Sequence, residues 1–171
     1  IERVQSMYLP KHKVRNQGEA KMREGPGQFT YSGNGGDTPA MAAAGVICLQ
    51  EFGKYDDWRI AKSMERVTGE ITKAKHPEKP GTGQLPFDAY TLNYIGQSLY
   101  QVGGQGWKDH YPKLRDSIIK GQRPDGGWEG GRVGGLAGEA YGTAVAVFVL
   151  AIPNRYLPIL QEAKVGVLAG R

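Results

Sequence analysis

Four aromatic residues mark this chain at almost equal intervals: Tyr8, Trp58, Trp107 and Tyr156, at steps of 50, 49 and 49 residues. The tripeptide Tyr8-Leu9-Pro10 returns as Tyr156-Leu157-Pro158. A second set of apolar positions keeps the same beat, with Leu49, Leu99 and Val149 at steps of 50 and Phe52, Val102 and Ile152 beside them. A period of this size is the mark of a repeated supersecondary unit, which cannot bury its own apolar face and must stack on its neighbours.

Two kinds of segment alternate within the period. Residues 38–52 (TPAMAAAGVICLQEF) place Met41, Ala44, Gly45, Cys48, Leu49 and Phe52 on a helical template, and other apolar residues fill the remaining faces. Residues 89–102 align Leu92, Ile95, Leu99 and Val102, and residues 139–152 (EAYGTAVAVFVLAI) are apolar almost all round. The valines there suit a strand, but length and position in the period favour a helix. The intervening segments are two-faced. Residues 58–75 set Trp58, Ala61, Met64, Val67 and Ile71 on one side, and residues 107–120 do so through Trp107, Tyr111, Leu114 and Ile118. Residues 8–23 read as a weaker copy, short of apolar positions and interrupted by Gly18.

Alternating buried and half-buried helices describe two layers, so the expected fold class is all-α: an α/α toroid, partial or open, or a solenoid of helical hairpins about every 50 residues, filling residues 1–171 as one repeat domain. Gly/Pro-rich stretches at 33–36, 77–86, 103–106 and 130–138 read as connectors, and no stretch reads as a convincing strand. The period supplies about three and a half helix pairs, which predicts an arc belonging to a longer chain or closing against another copy.

Composition narrows the partners. The longest apolar run, residues 144–152, is well short of the roughly 18 residues that cross a bilayer. The net charge is +5, but the basic residues are scattered apart from Lys11, His12, Lys13 and Arg15, and no nucleic-acid partner is expected. The single Cys48 excludes a disulfide within the chain.

Residues 122–128, QRPDGGW, carry a Gln-x-x-x-Gly-x-Trp pattern. This resembles the repeat motif of squalene-hopene cyclases, related terpene cyclases and prenyltransferase β-subunits. The wider segment 90–161 resembles bacterial proteins with prenyltransferase/squalene oxidase repeats. The resemblance implies a structural role for Gln122, Asp125, Gly126 and Trp128, with Gln122 closing an outer helix and Trp128 packed beside it. On physical grounds Gly126 and Gly127 permit a tight turn, Asp125 can cap free N–H groups and Trp128 is a large apolar anchor. Other copies are degenerate. Phe29 stands 99 residues before Trp128 with Gly27 at the glycine position, and the middle copy reads KPGTGQLPF.

The chemistry of that family departs from this sequence. No Asp-x-Asp-Asp tetrad occurs, and Asp56-Asp57 reads as the start of the next helix. Cys48, His12, His76 and His110 lack ligand spacing, so neither a metal nor any other cofactor is expected. The glycine strings GNGGD and GGRVGG lack the flanking residues of a phosphate loop.

Toroids of the resembled family place their cavity at the axis, near the N-terminal ends of the inner helices. That puts the candidate pocket at Asp37, Thr38, Asp88, Tyr90, Tyr94, Glu139 and Tyr141. Acids at helix starts are also ordinary caps or dipole partners, and core packing is the readier explanation of Tyr90 and Tyr94. The expectation is a binding module without the catalytic acid, taking an apolar or isoprenoid ligand or a protein partner. The alternatives are a segment of a terpenoid cyclase or prenyltransferase-type enzyme acting on an isoprenoid, and a glycan-processing toroid using Asp88 and Glu139.

Overall fold

The computed structural model describes residues 8–10, 27–31, 38–130 and 138–154. Within them lie two short strands, β1 (Tyr8–Pro10) and β2 (Gly27–Phe29), and five α-helices: α1 (Pro39–Glu51), α2 (Trp58–Lys73), α3 (Ala89–Val102), α4 (Gly104–Gly121) and α5 (Glu139–Ala151). A 3-10 turn, Ile152–Asn154, follows α5.

The greasy segments are helices, including residues 139–151, where the valines left a strand open. Helix α3 lies between α1 and α5 and packs against both. These three run in one direction. The C-terminal ends of α1 and α3 meet where Gln101 donates to Glu51 at 2.7 Å, and Tyr141 senses Asp88 and Tyr94 across the starts of α3 and α5. Gly96 has no side chain to hold the helices apart, so Val149 and Ile152 lie directly on α3. Helix α2 packs on α1, α4 packs on α3 and α5, and α2 and α4 touch each other.

One continuous core results. Leu49, Leu92, Ile95, Leu99, Val67, Ile71, Leu114, Ile118, Val149 and Ile152 are fully buried in it. Removal of such side chains from water is the main favourable term, on the order of 1.5–3 kcal/mol for each large apolar residue. Helix α2 shows how pattern becomes packing: Ile60, Ser63, Met64, Val67 and Ile71 face inward, while Lys62–Glu65 and Arg66–Glu70 pair on the outer face. Asp57 starts this helix by accepting from the Arg59 amide at 3.0 Å, as expected of the Asp56-Asp57 pair.

Several details differ from the sequence expectation. Tyr8–Pro10, expected to open an outer helix, instead forms an antiparallel pair with Gly27–Phe29, Tyr8 opposite Phe29 and Pro10 opposite Gly27. Residues 8–23 carry too few apolar positions at helical spacing to bury a helix face, whereas extended pairing satisfies backbone groups directly. The rest of that stretch, 11–23, lies outside the described residues, as do the Gly33–Gly36 connector and Tyr156-Leu157-Pro158.

Phe52, expected inside the first helix, caps its end and is exposed, and Val102 is the partly exposed last residue of α3; Ile152 alone of that trio is buried. Ala61 points to solvent and Ile60 takes the inward place, one residue away on the helical wheel. The expected connector 103–106 is mostly the first turn of α4, because two consecutive glycines at positive φ, Gly103 (64°) and Gly104 (62°), make the turn and leave the next residues free to coil.

The helix row is also less enclosed than an inner layer packed on both sides. Met41, Ala44 and Cys48 of α1 and Tyr90, Tyr94, Gln97 and Gln101 of α3 are half-buried on the side away from the core. Tyr141, Ala144 and Val147 of α5 are exposed there.

Candidate functional site

The starts of α1, α3 and α5 hold most of the candidate residues, and each polar one has a local task. Thr38 caps α1, its Oγ1 accepting from the Met41 amide at 3.2 Å. Asp88 caps α3 with both oxygens, Oδ1 accepting from the Thr91 amide at 3.0 Å and Oδ2 from the Thr91 hydroxyl at 2.7 Å. Glu139, in the first turn of α5, accepts from Arg123 Nη1 at 2.7 Å and Nη2 at 3.0 Å. Asp37 lies outside the described residues.

Arg123 belongs to the turn after α4, and it also binds Asp125 at 3.2 Å. Asp125 Oδ1 accepts from the Gly127 amide at 2.9 Å, and Gln122 Nε2 donates to the Gly126 carbonyl at 3.0 Å. Gln122 therefore braces its own turn, where Gly126 adopts φ 86°. The Gly127 amide and Arg123 hold Asp125 below the usual carboxylate range, and Arg123 does the same for Glu139. Trp128 closes the turn. It is buried, its Nε1–H donates to the Ile118 carbonyl at 2.8 Å, and its amide donates to Thr143 Oγ1 at 3.0 Å. Gly142 lets the backbone of Glu129 and Gly130 pass against α5, where a side chain would collide with it.

The tyrosines have no such task. Tyr90 and Tyr94, one helical turn apart, meet edge to face with ring centroids 4.9 Å apart. Burial pushes the Tyr90 phenol up, and Tyr94, Tyr31 and Tyr141 push it further. Burial raises Tyr141 as well, followed by Tyr94 and Asp88. The ring contact of Tyr90 with Tyr94, together with the influence of Tyr31 and Tyr141 on Tyr90 and of Tyr94 on Tyr141, brings residues from three parts of the chain to one end of the helix row. All are only half-buried or exposed, Tyr31 at 74%.

Tyr31 was not among the sequence candidates. Its signal was its place two residues after Phe29, which the sequence reading paired with Trp128, and a few residues ahead of α1. A glutamate and a glycine hold the places after Trp128, so the repeat gave no reason to look for a phenol there.

Among the described residues no three His, Cys, Asp or Glu side chains converge as a metal site requires, and no helix is long and apolar enough to cross a membrane. Cys48 is half-buried on α1, His76 is exposed and His110 Nδ1 sits 3.0 Å from the Gly106 carbonyl. No protein-family model, no curated protein and no solved structure matches the chain.

Proposed function

We propose that this chain is an arc of a terpene-cyclase-like α/α toroid that works as a binding module, holding an apolar ligand against the tyrosine-bearing starts of α3 and α5 and against Tyr31, which follows β2. One observation carries the reading: four tyrosines from three parts of the chain converge at the helix starts, while Thr38, Asp88 and Glu139 are already engaged in capping and pairing. Aromatic rings that remain partly open to solvent offer apolar area to a ligand, and their hydroxyls can orient it.

The engaged carboxylates speak against the glycan-hydrolysing alternative, which needs one free acid and one free base. The same arc within a terpenoid-cyclase or prenyltransferase-type enzyme is the second reading. Its support is the Gln122–Trp128 turn, and it requires the reacting acid to come from outside residues 1–171.

The test is incubation of the purified chain with an organic extract, followed by mass spectrometry of retained species. Apolar compounds should be retained by the native chain and lost from a Tyr94→Ala, Tyr141→Ala double variant that remains folded by circular dichroism. Equal retention by both would refute the site.

A further inference from the structure

The outer helices α2 and α4 end in a basic surface. Helix α2 closes with Lys73, and Lys75 and Lys79 follow in the segment leading to α3; all three are exposed. That segment lies on the end of α4. The Pro77 ring and the Gln84 carbonyl press on Gly121, the Gly81 amide donates to the Lys120 carbonyl at 3.1 Å, and the Gly83 amide donates to the Gly121 carbonyl at 2.7 Å. Lys75 and Lys79 therefore share one end of the molecule with Lys120, which is also exposed. Lys73 and Lys120 sit in the last turns of their helices, where a cation offsets the helix dipole. Lys75 and Lys79 lie outside both helices, where that role does not account for them. Residues 73–80 and 119–122 hold the four lysines against a single acid, Glu78. Ile119, directly before Lys120, is 53% exposed. Positive charge spread around a protruding aliphatic side chain matches a flat anionic surface with an apolar interior. It suits nucleic acid less, because neither stretch carries an aromatic ring for stacking on bases or an arginine for bidentate base contacts.

We propose that this end of the outer helices docks on a membrane surface rich in anionic phospholipid, with Lys73, Lys75, Lys79 and Lys120 over the headgroups and Ile119 entering the acyl boundary. The contact is peripheral. It goes beyond the binding-module reading and does not rest on it, so either can fail without the other.

Cosedimentation with two kinds of vesicle tests it: phosphatidylcholine alone, and equal parts phosphatidylcholine and phosphatidylglycerol. The chain should partition onto the mixed vesicles about tenfold or more better than onto the neutral ones, and high salt should remove that advantage. Lys75→Gln with Lys79→Gln, both exposed and outside the helices, should lower partition onto mixed vesicles about tenfold. Lys11→Gln with Lys13→Gln, in the basic cluster near the start of the chain, should leave it nearly unchanged. Ile119→Ser should weaken it a few-fold in high and low salt alike. Equal partition onto both vesicle types overturns the proposal. So does the reverse order of the two lysine pairs, which moves the contact to the cluster at Lys11 and Lys13. Preferential retention of a labelled DNA strand when DNA and mixed vesicles compete also overturns it, and makes the surface a nucleic-acid site.

Discussion

Two aromatic clamps, Phe29 and Trp128, sit about two periods apart and solve the same packing problem differently. Phe29 lies in β2 with its ring against Gly45 of α1, so closely that any side chain at Gly45 would overlap it. Trp128 lies in the turn before α5, whose Gly142 admits the Glu129–Gly130 backbone in the same manner. Both rings are buried. The difference is the indole N–H, which ties Trp128 to the end region of α4 through Ile118 while its amide and Thr143 join it to α5. A phenyl ring has no such donor. The lesson is that a glycine in the following helix admits different neighbours at the two places, the Phe29 ring at Gly45 and the Glu129–Gly130 backbone at Gly142, and that only the Trp128 side adds a polar tie.

Removing the ring is the most severe way to break this pair. Trp128→Ala should cost about 3–5 kcal/mol of unfolding free energy, and Phe29→Ala should cost less because no indole hydrogen bond is lost. Urea midpoints of the two variants would decide, and equal losses would mean that the Ile118 tie adds nothing. Filling the glycines comes next. Gly142→Val should destabilise by about 1–3 kcal/mol, from overpacking. Gly45→Val should do about the same, because it meets the Cβ and Cγ of the buried Phe29, which cannot move without shifting β2. Thermal midpoints would rank them.

Trp128→Phe makes the second clamp imitate the first. It keeps most of the apolar area but leaves the Ile118 carbonyl without its donor, a loss of about 1 kcal/mol, read again in urea. The smallest effect is electrostatic and belongs to the Trp128 side alone. Asp125 and Glu139 have folded pKa values below their unfolded ones, so their contribution is present above the ordinary carboxylate range and is lost as pH falls through the lowered values. Both are exposed, so the acid shift in thermal midpoint should be slight, and in Arg123→Ala it should shrink to the part that the Gly127 amide gives Asp125.

The sequence made the helices readable where apolar spacing left a single solution. Leu92, Ile95 and Leu99 are fully buried as their spacing requires, and Val67 and Ile71 anchor α2 as expected. It was ambiguous at the margin of the apolar stripe, as with Ile60 and Ala61, about 100° apart on the helix, because spacing does not say which of them meets the neighbouring helix. Ends were the least readable. Gly103 and Gly104 reverse the chain between them, although four residues carried connector composition, and Phe52 falls just beyond the last turn of its helix. Strand β1 escaped because its partner lies across 16 residues, a non-local pairing that helical periodicity does not register.

At the site, Tyr90, Tyr94 and Tyr141 were legible from their place at the inner helix starts. The occupation of the acids was not. Capping by Asp88 and pairing of Glu139 with Arg123 depend on distances between segments, and the same letters would serve a reactive carboxyl.

Tyr111 carries a consequence for how the molecule comes apart. Its hydroxyl donates to the Val149 and Leu150 carbonyls at 3.4 and 3.3 Å, serving the last turn of α5 from a neighbouring helix. Helix ends usually fray first because such carbonyls depend on solvent. Here the fraying of one unit is charged to the next, so amide exchange in the final turn of α5 should report the opening of α4 rather than an independent local melt.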